Sequence, residues 1–377
     1  MSKTLQDYAT LINDTIQSNE INHYITTDNM CQNLGGIDTL KNINIPQGKV
    51  RSFQKDDVLL SNIRLYFRKV YRAKQKGGCS SDVLVFRAKH IDSATLFAIL
   101  SSQIFTDYAC SGSQGSKMPR GNKTHMMDFK IPTINFTIAK IFNSIQNKIE
   151  NNHKINELLH KILELLYGQY FVRFDFLDEN NKPYQTSGGK MKFSKELNRL
   201  IPSGWSVRFL NHKILSTYQP KTISKTLLND SYSYSVYGGG GIIGRFTEYN
   251  HEQSEFIISC RGQCGISYLT LPKSWITGNA MVIRPTKSYT SKTYLYHTIK
   301  KYKLTNYITG SVQPQITRQN LSTIPILIPK RKTLNKWNNI SSLLWNLIHN
   351  NMQETQTLTA LRDFLLPLLL TQQVKPQ

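Results

Sequence analysis

The chain should fold as an α/β protein in which two globules are separated by two long antiparallel helices, the whole arranged as a tandem duplication. Three observations carry that expectation. The length of 377 residues is that of two or more domains at roughly 100–200 residues each. Two stretches lack both proline and glycine and carry apolar residues at helical spacing. A set of short motifs recurs in one order at offsets of 197–199 residues.

In the first globule, taken as 1–133, Asp57–Ser61 and Asp82–Phe86 read as strands and Ser93–Phe105 as a helix. The first long helix follows at 134–168, with Ile138, Phe142, Ile145, Ile149, Leu159 and Ile162 on its stripe and Gly168 where it should stop. About 33 residues at 1.5 Å each span roughly 50 Å, so the stripe needs a partner along its length. The economical partner is the second such helix, within 333–377, through Leu344, Ile348, Leu358 and Leu361, with Pro367 as its expected stop. Residues 169–204 read as a linker, in which Asp178–Pro183 and Thr186–Lys190 are loop-like. The second globule, 205–332, opens with Trp205 as a core anchor, has strands at Glu255–Ser259 and Ala280–Ile283, and a helix at Lys292–Tyr302.

The duplication rests on ordered matches. Asp57–Ser61 answers to Glu255–Ser259, Val85–Arg87 to Val282–Arg284, Phe105–Tyr108 with Gly112 to Leu304–Tyr307 with Gly310, and Ile131–Pro132 to Ile328–Pro329. In each copy the long helix follows at once.

The formal net charge is +23, from 47 Lys+Arg against 24 Asp+Glu, and it sits mainly on the globules: +6 over 1–132, +13 over 206–332 and +4 on the rest. Such an excess points to a polyanion, because basic side chains that neutralise phosphates release counterions. Arg64, Arg68, Lys69 and Arg72 follow a strand with Tyr66, Phe67 and Tyr71 interleaved. A Gly-rich basic loop at Gly112–Lys123 adds Lys117, Arg120 and Lys123; its counterpart, Gly310–Asn320, offers Gln313, Gln315 and Arg318. Arg245, Arg261 and Gln263 complete the candidate DNA-binding set. Arginine can pair bidentately with guanine, and Gln or Asn with adenine.

Catalytic signatures are missing. There is no Asn/Asp-Pro-Pro-aromatic motif, and Tyr237–Arg245 has no following Gly-Lys-Ser/Thr, so its glycines read as a tight turn rather than a nucleotide cradle. Histidines are scattered, and the four acids of 206–332 are few for two-metal hydrolysis. Cys31, Cys79, Cys110, Cys260 and Cys264 are odd in number and irregular in spacing, which suits neither a disulfide framework nor a zinc ribbon. With no apolar signal core and no apolar run of about 18 residues, a soluble, cytoplasmic protein is expected.

The segments Ile201–Trp205, Tyr237–Gly244, Arg261–Gly265, Trp275–Ala280 and Leu361–Pro367 resemble the specificity subunits of type I restriction-modification systems. The first copy agrees through Tyr24–Met30, Arg64–Tyr66, Gly78–Val83 and Gly168–Val172, so the resemblance covers nearly the whole chain. It implies that each globule is a target recognition domain reading half of a bipartite DNA site. It also implies that the helices set the spacing and dock two modification subunits. S-adenosylmethionine would come with the modification subunits, ATP and Mg2+ with any restriction subunits, and no cofactor or metal with this chain, which would itself catalyse nothing. The divergence of the two copies in their loops implies an asymmetric site. A standalone nucleic-acid-modifying enzyme with an unrecognised active site is the alternative.

Overall fold

The computed structural model describes residues 3–38, 41, 43–131, 134–229, 232–310 and 314–371. The chain divides into two compact units, Met1–Lys154 with Met352–Gln377 and Ile155–Asn351.

The first unit contains α1 (Leu5–Tyr8), β1 (Ala9–Ile12), β2 (Thr15–Gln17), β3 (Tyr24–Ile25), β4 (Lys49–Phe53), β5 (Val58–Ser61), β6 (Val70–Arg72), β7 (Gly77–Cys79), β8 (Val83–Ala88), α2 (Ser93–Ser101), α3 (Gln103–Ser111), α4 (Lys123–Met127) and the first part of α5 (Phe136–Tyr167). One sheet has the order β1-β8-β5-β6, the other β2-β4-β7-β3. Val58, Leu60, Leu84 and Phe86 pack on Leu96, Phe97 and Ile99 of α2. From the same strands Leu59, Val83 and Val85 turn the other way, onto Phe53, Ile25 and Cys79 of the second sheet. The first sheet is therefore covered on both faces, which is why β5 and β8 are continuous apolar runs rather than alternating ones. The expected single helix from Ser93 is broken, because Ser102 is extended and its hydroxyl caps α3 by accepting from the Phe105 N–H at 3.1 Å.

The second unit contains the rest of α5, β9 (Met191–Ser194), β10 (Arg199–Pro202), β11 (Ser206–Phe209), β12 (Leu215–Tyr218), β13 (Tyr234–Gly238), β14 (Gly241–Phe246), β15 (Phe256–Ser259), β16 (Ser267–Leu269), β17 (Trp275–Ile276), β18 (Ala280–Pro285), α6 (Lys292–Lys300), β19 (Ile308–Thr309), β20 (Gln315–Ile316), α7 (Arg318–Leu321), β21 (Pro325–Ile328) and the first part of α8 (Arg331–Thr371). Its main sheet runs β12-β18-β15-β16, the topology of β1-β8-β5-β6. The register is kept as well: Val58 faces Phe86 as Phe256 faces Ile283, and Ser61 faces Val83 as Ser259 faces Ala280. An ion pair with a buried carboxylate recurs at the strand ends, Arg87 to Asp57 at 2.8 Å and Arg284 to Glu255 at 2.6 Å. The duplication thus holds at the level of topology, register and charge. It fails locally at Leu304–Tyr307, a single 3-10 turn where Phe105–Tyr108 belongs to α3. Of the matched Ile131–Pro132, Pro132 lies outside the described residues.

Residues 169–204 are more than a linker. α5 runs on through a wider turn at Gly168–Val172, and β9 pairs with β10. Phe176 stacks on Trp205 at 5.1 Å, and Trp205 is 2% exposed, the anchor its place in the sequence suggested. Phe171 lies 4.8 Å from Tyr294 and 5.5 Å from Trp337, so the core of this unit is aromatic.

Within each unit a half of α5 pairs with a half of α8. In the first, Asn152 Nδ2 donates to Glu354 Oε2 at 2.8 Å and Arg362 Nη1 to Gln146 Oε1 at 3.1 Å. In the second, Asn351 Nδ2 donates to Asn156 Oδ1 at 2.9 Å, and His160 meets Trp345 at 5.0 Å between ring centres. Numbers rise along one helix as they fall along the other, so the helices are antiparallel. Polar pairs inside the seam favour one register, since a shift would strand them. Ile145, Ile149 and Ile348 are buried and Leu159, Leu344 and Leu358 half-buried, but Ile162 and Leu361 are 43% and 44% exposed and face away from the seam. Pro367 does not end α8, which continues to Thr371. Its missing N–H removes one helical bond, but Leu366 and Leu368 pack on the core of the first unit and hold the last turn.

Candidate nucleic-acid interface

In each unit the turn that leaves the central strand is joined to a later loop by the same backbone bonds. Asn62 N–H donates to Asp82 O at 2.8 Å, and Gly121 N–H to Asn62 O at 3.2 Å; in the second unit Cys260 N–H donates to Asn279 O at 2.9 Å, and Ile316 N–H to Cys260 O at 3.1 Å. Ile63 pairs with Arg120 as Arg261 pairs with Gln315. The later loop is a hairpin in both units, closed by Gln114 with Arg120 and by β19 with β20. A short helix follows each, capped by Asn122 or Thr317, with Lys123 or Arg318 as its first residue. Two equivalent loop clusters result.

The expected basic residues divide into two groups. Lys117, Arg120, Lys123, Arg261, Gln263, Gln315 and Arg318 are exposed. Arg120 also reaches Asp82 at 3.0 Å, with 62% of its side chain still open to solvent, so the pair leaves the guanidinium available to an anion. The cluster from Arg64 to Arg72 turns inward instead. Arg68 Nη2 donates to Ser101 O at 2.9 Å and Lys69 Nζ to Thr27 O at 2.6 Å, while Arg72 lies 3.8 Å from Asp56. The Arg68 and Arg72 side chains are only 14% and 15% exposed. Burial lowers the pKa of both Arg68 and Lys69, as expected of cations bound to carbonyls rather than offered to a ligand. Arg64 Nη2 grips Lys117 O at 3.3 Å, and Arg245 Nη2 donates to Ser233 O at 2.6 Å, tying one end of the β13–β14 hairpin. These residues brace the loops. Their reach into carbonyls could not be seen in a pattern of charge along the chain. Gln313 lies outside the described residues.

The four-glycine run forms the turn between β13 and β14. A Cβ on Gly239 would stand 2.6 Å from Arg261 O, so the run lets this hairpin press against the exposed turn of the second unit. Burial raises the Cys260 thiol, whose sulfur accepts from Gln219 Nε2 at 2.9 Å; it is a packed thiol behind the turn, not a nucleophile on it.

Residues 202–360 match the family of the type I restriction modification DNA specificity domain. That match covers the second globule and most of α8, less than half of the chain. The chain is 21% identical over 312 residues to the type I restriction enzyme MjaIX specificity subunit of Methanocaldococcus jannaschii, covering 73% of this chain and 67% of that protein. The crystal structure of the type I restriction-modification S subunit from M. genitalium has the same fold, with a TM-score of 0.61 at 16% identity, covering 98% of this chain and 96% of that one. The two loop clusters share a backbone frame and differ in their exposed side chains. The part that sequence reasoning missed is the ion pair of Asp57 with Arg87 and Glu255 with Arg284. Its signal was present, since all four residues end the repeated motifs.

Proposed function

We propose that this chain is the non-catalytic DNA-recognition subunit of a type I restriction-modification complex, and that each unit reads one half of a bipartite, asymmetric site. The observation that carries this reading is the pair of equivalent loop clusters. They have one backbone frame but different exposed side chains, Lys117, Arg120 and Lys123 against Arg261, Gln263, Gln315 and Arg318. Equivalent frames suit a repeated task on a repeating polymer, and different side chains suit different base edges. No helix among the described residues is long and apolar enough to cross a membrane. Work on DNA places the chain in the cytoplasm.

The helices supply the docking surface for two modification subunits in this reading. On α5, Ile155, Leu158, Ile162 and Leu165 are exposed at spacings of three and four; on α8, Ile340, Leu343 and Leu347 are exposed at the same levels of the antiparallel pair. An apolar stripe of this kind suits a partner helix. S-adenosylmethionine belongs to those partners, and ATP with Mg2+ to restriction subunits where they join.

The test is duplex binding by the assembled complex at moderate salt. Arg120→Ala and Arg318→Ala should each weaken binding through one half-site only. Equal affinity of the unmodified complex for all duplexes overturns sequence reading, and turnover of DNA by the purified chain alone would favour the enzyme.

A further inference from the structure

The turn that follows the central strand is closed by a corresponding backbone bond in both units, is one residue longer in the first, and differs in chemistry at its tip. It starts at Ser61 or Ser259, whose N–H donates across the turn to Lys69 O at 3.0 Å or to Ile266 O at 2.8 Å. Each turn passes twice through the left-handed region: Arg64 at φ 51° and Arg68 at φ 49° in the first unit, Gly262 at φ 73° and Gly265 at φ 90° in the second. Glycine occupies that region without steric conflict, and arginine does not. Strain held by surrounding structure is a pointer to function.

What holds the first turn is visible. Its two arginines are anchored to Lys117 O and Ser101 O, as described. The backbone is tied on two further sides, by Asn33 N–H to Phe67 O at 2.9 Å and by Arg64 N–H to Pro119 O at 2.9 Å. Of the three residues between the arginines, Leu65 is buried and Phe67 half-buried, whereas Tyr66 is 53% exposed, its ring edge-on to Phe67 at 4.7 Å. A fixed backbone thus presents one aromatic ring to solvent. In the second unit the tip is Gln263, exposed, with its carbonyl accepting from the Ser259 hydroxyl.

We propose that Tyr66, exposed at the tip of this turn in the first unit as Gln263 is at the tip of the turn in the second, is a specificity-determining contact, and that it reads the apolar edge of an A·T pair, the thymine methyl in the major groove. A ring held at the tip of a braced turn can press on a methyl group with little loss of side-chain freedom, whereas Gln263 offers an amide to a hydrogen-bonding edge. This inference rests on the DNA-reading function proposed above.

The experiment uses the assembled complex and the bipartite site revealed by its own adenine methylation. Tyr66→Ala should weaken binding to the specific duplex about tenfold, with no change on a duplex whose corresponding half is scrambled and with unaltered thermal unfolding. Tyr66→Phe should bind as the parent does. Replacing thymine by uracil in that half should cause a similar loss in the parent complex and none in Tyr66→Ala. Gln263→Ala should relax the other half-site. The inference is overturned by unchanged affinity of Tyr66→Ala, by a loss equal on both duplexes, by both variants acting on the same half, or by a half-site with no A·T pair. A parent complex that prefers no sequence overturns the DNA-reading function instead.

Discussion

In the first unit the turn after β5 passes through Arg64 and Arg68, and in the second the turn after β15 passes through Gly262 and Gly265. The strands beneath them agree residue for residue in register, and an arginine–carboxylate pair closes each at the same place. Duplication has preserved the frame and released the tip. It has also changed what the charge does. In the first unit Arg64, Arg68, Lys69 and Arg72 are bound inward, so much of its smaller excess is structural. In the second, glycines make the turn and leave Arg261 and Arg318 exposed beside it.

Acid should separate the units most. Burial pushes His297 down to about 3 and His349 down to about 4, helped by the nearby cations Lys300 and Lys292 respectively, and both lie in the aromatic core of the second unit. An unfolded histidine titrates near 6.5, so the unfolded chain takes up these protons first. The stability tied to the neutral imidazoles is complete above about pH 6.5 and is lost as pH falls towards 4. Calorimetry from pH 7.5 to 4.5 should show the second unit losing on the order of a few kcal/mol, and His297→Phe should flatten that dependence. Equal acid sensitivity of both units would break the comparison.

The shared ion pair should show a smaller contrast. Asp57 is 2% exposed, accepts from both Arg87 and the Gln54 N–H, and has a partner 35% exposed, whereas Glu255 is 9% exposed and its partner Arg284 48%. Asp57→Ala should cost about 3 kcal/mol in denaturant unfolding, and Glu255→Ala about half as much. A smaller effect distinguishes positions within the turns. Gly265→Ala should cost about 1–2 kcal/mol, because it places a Cβ at φ 90° and 3.1 Å from Leu304 Cβ. Gly262→Asn should be tolerated, since the space around that Cα is open and asparagine accepts left-handed backbone. The least effect is expected of Lys117→Ala, a loss of about 1 kcal/mol or less in binding and a reduction of the salt slope by about one ion.

Much of this was legible in the chain. The repeat offset, the helix stripes and the strands at β5, β8, β15 and β18 follow from local periodicity, which a linear pattern records directly. The break at Ser102, the passage of α8 through Pro367 and the folding of 169–204 around Trp205 were not legible, because each is decided by a cap or a packing partner distant in sequence. The candidate site divides in the same way. The exposure of Lys117, Arg120, Lys123, Gln315 and Arg318 was legible because a loop rich in glycine and charge can be recognised from composition. Arg68, Lys69 and Arg72 were assigned to the ligand because a string shows that they are charged but not which carbonyl each one meets.

By itself the sequence determined that the protein is duplicated, that its globules are basic and that two long helices follow them, since composition, repeat and periodicity are properties of the string. The tertiary structure alone decided which cations face solvent and which brace a turn, and that Tyr66 and Gln263 are exposed at the tips of the two turns. The physical reason is that a side chain's partner is set by backbone direction, and here two left-handed residues in each turn set it.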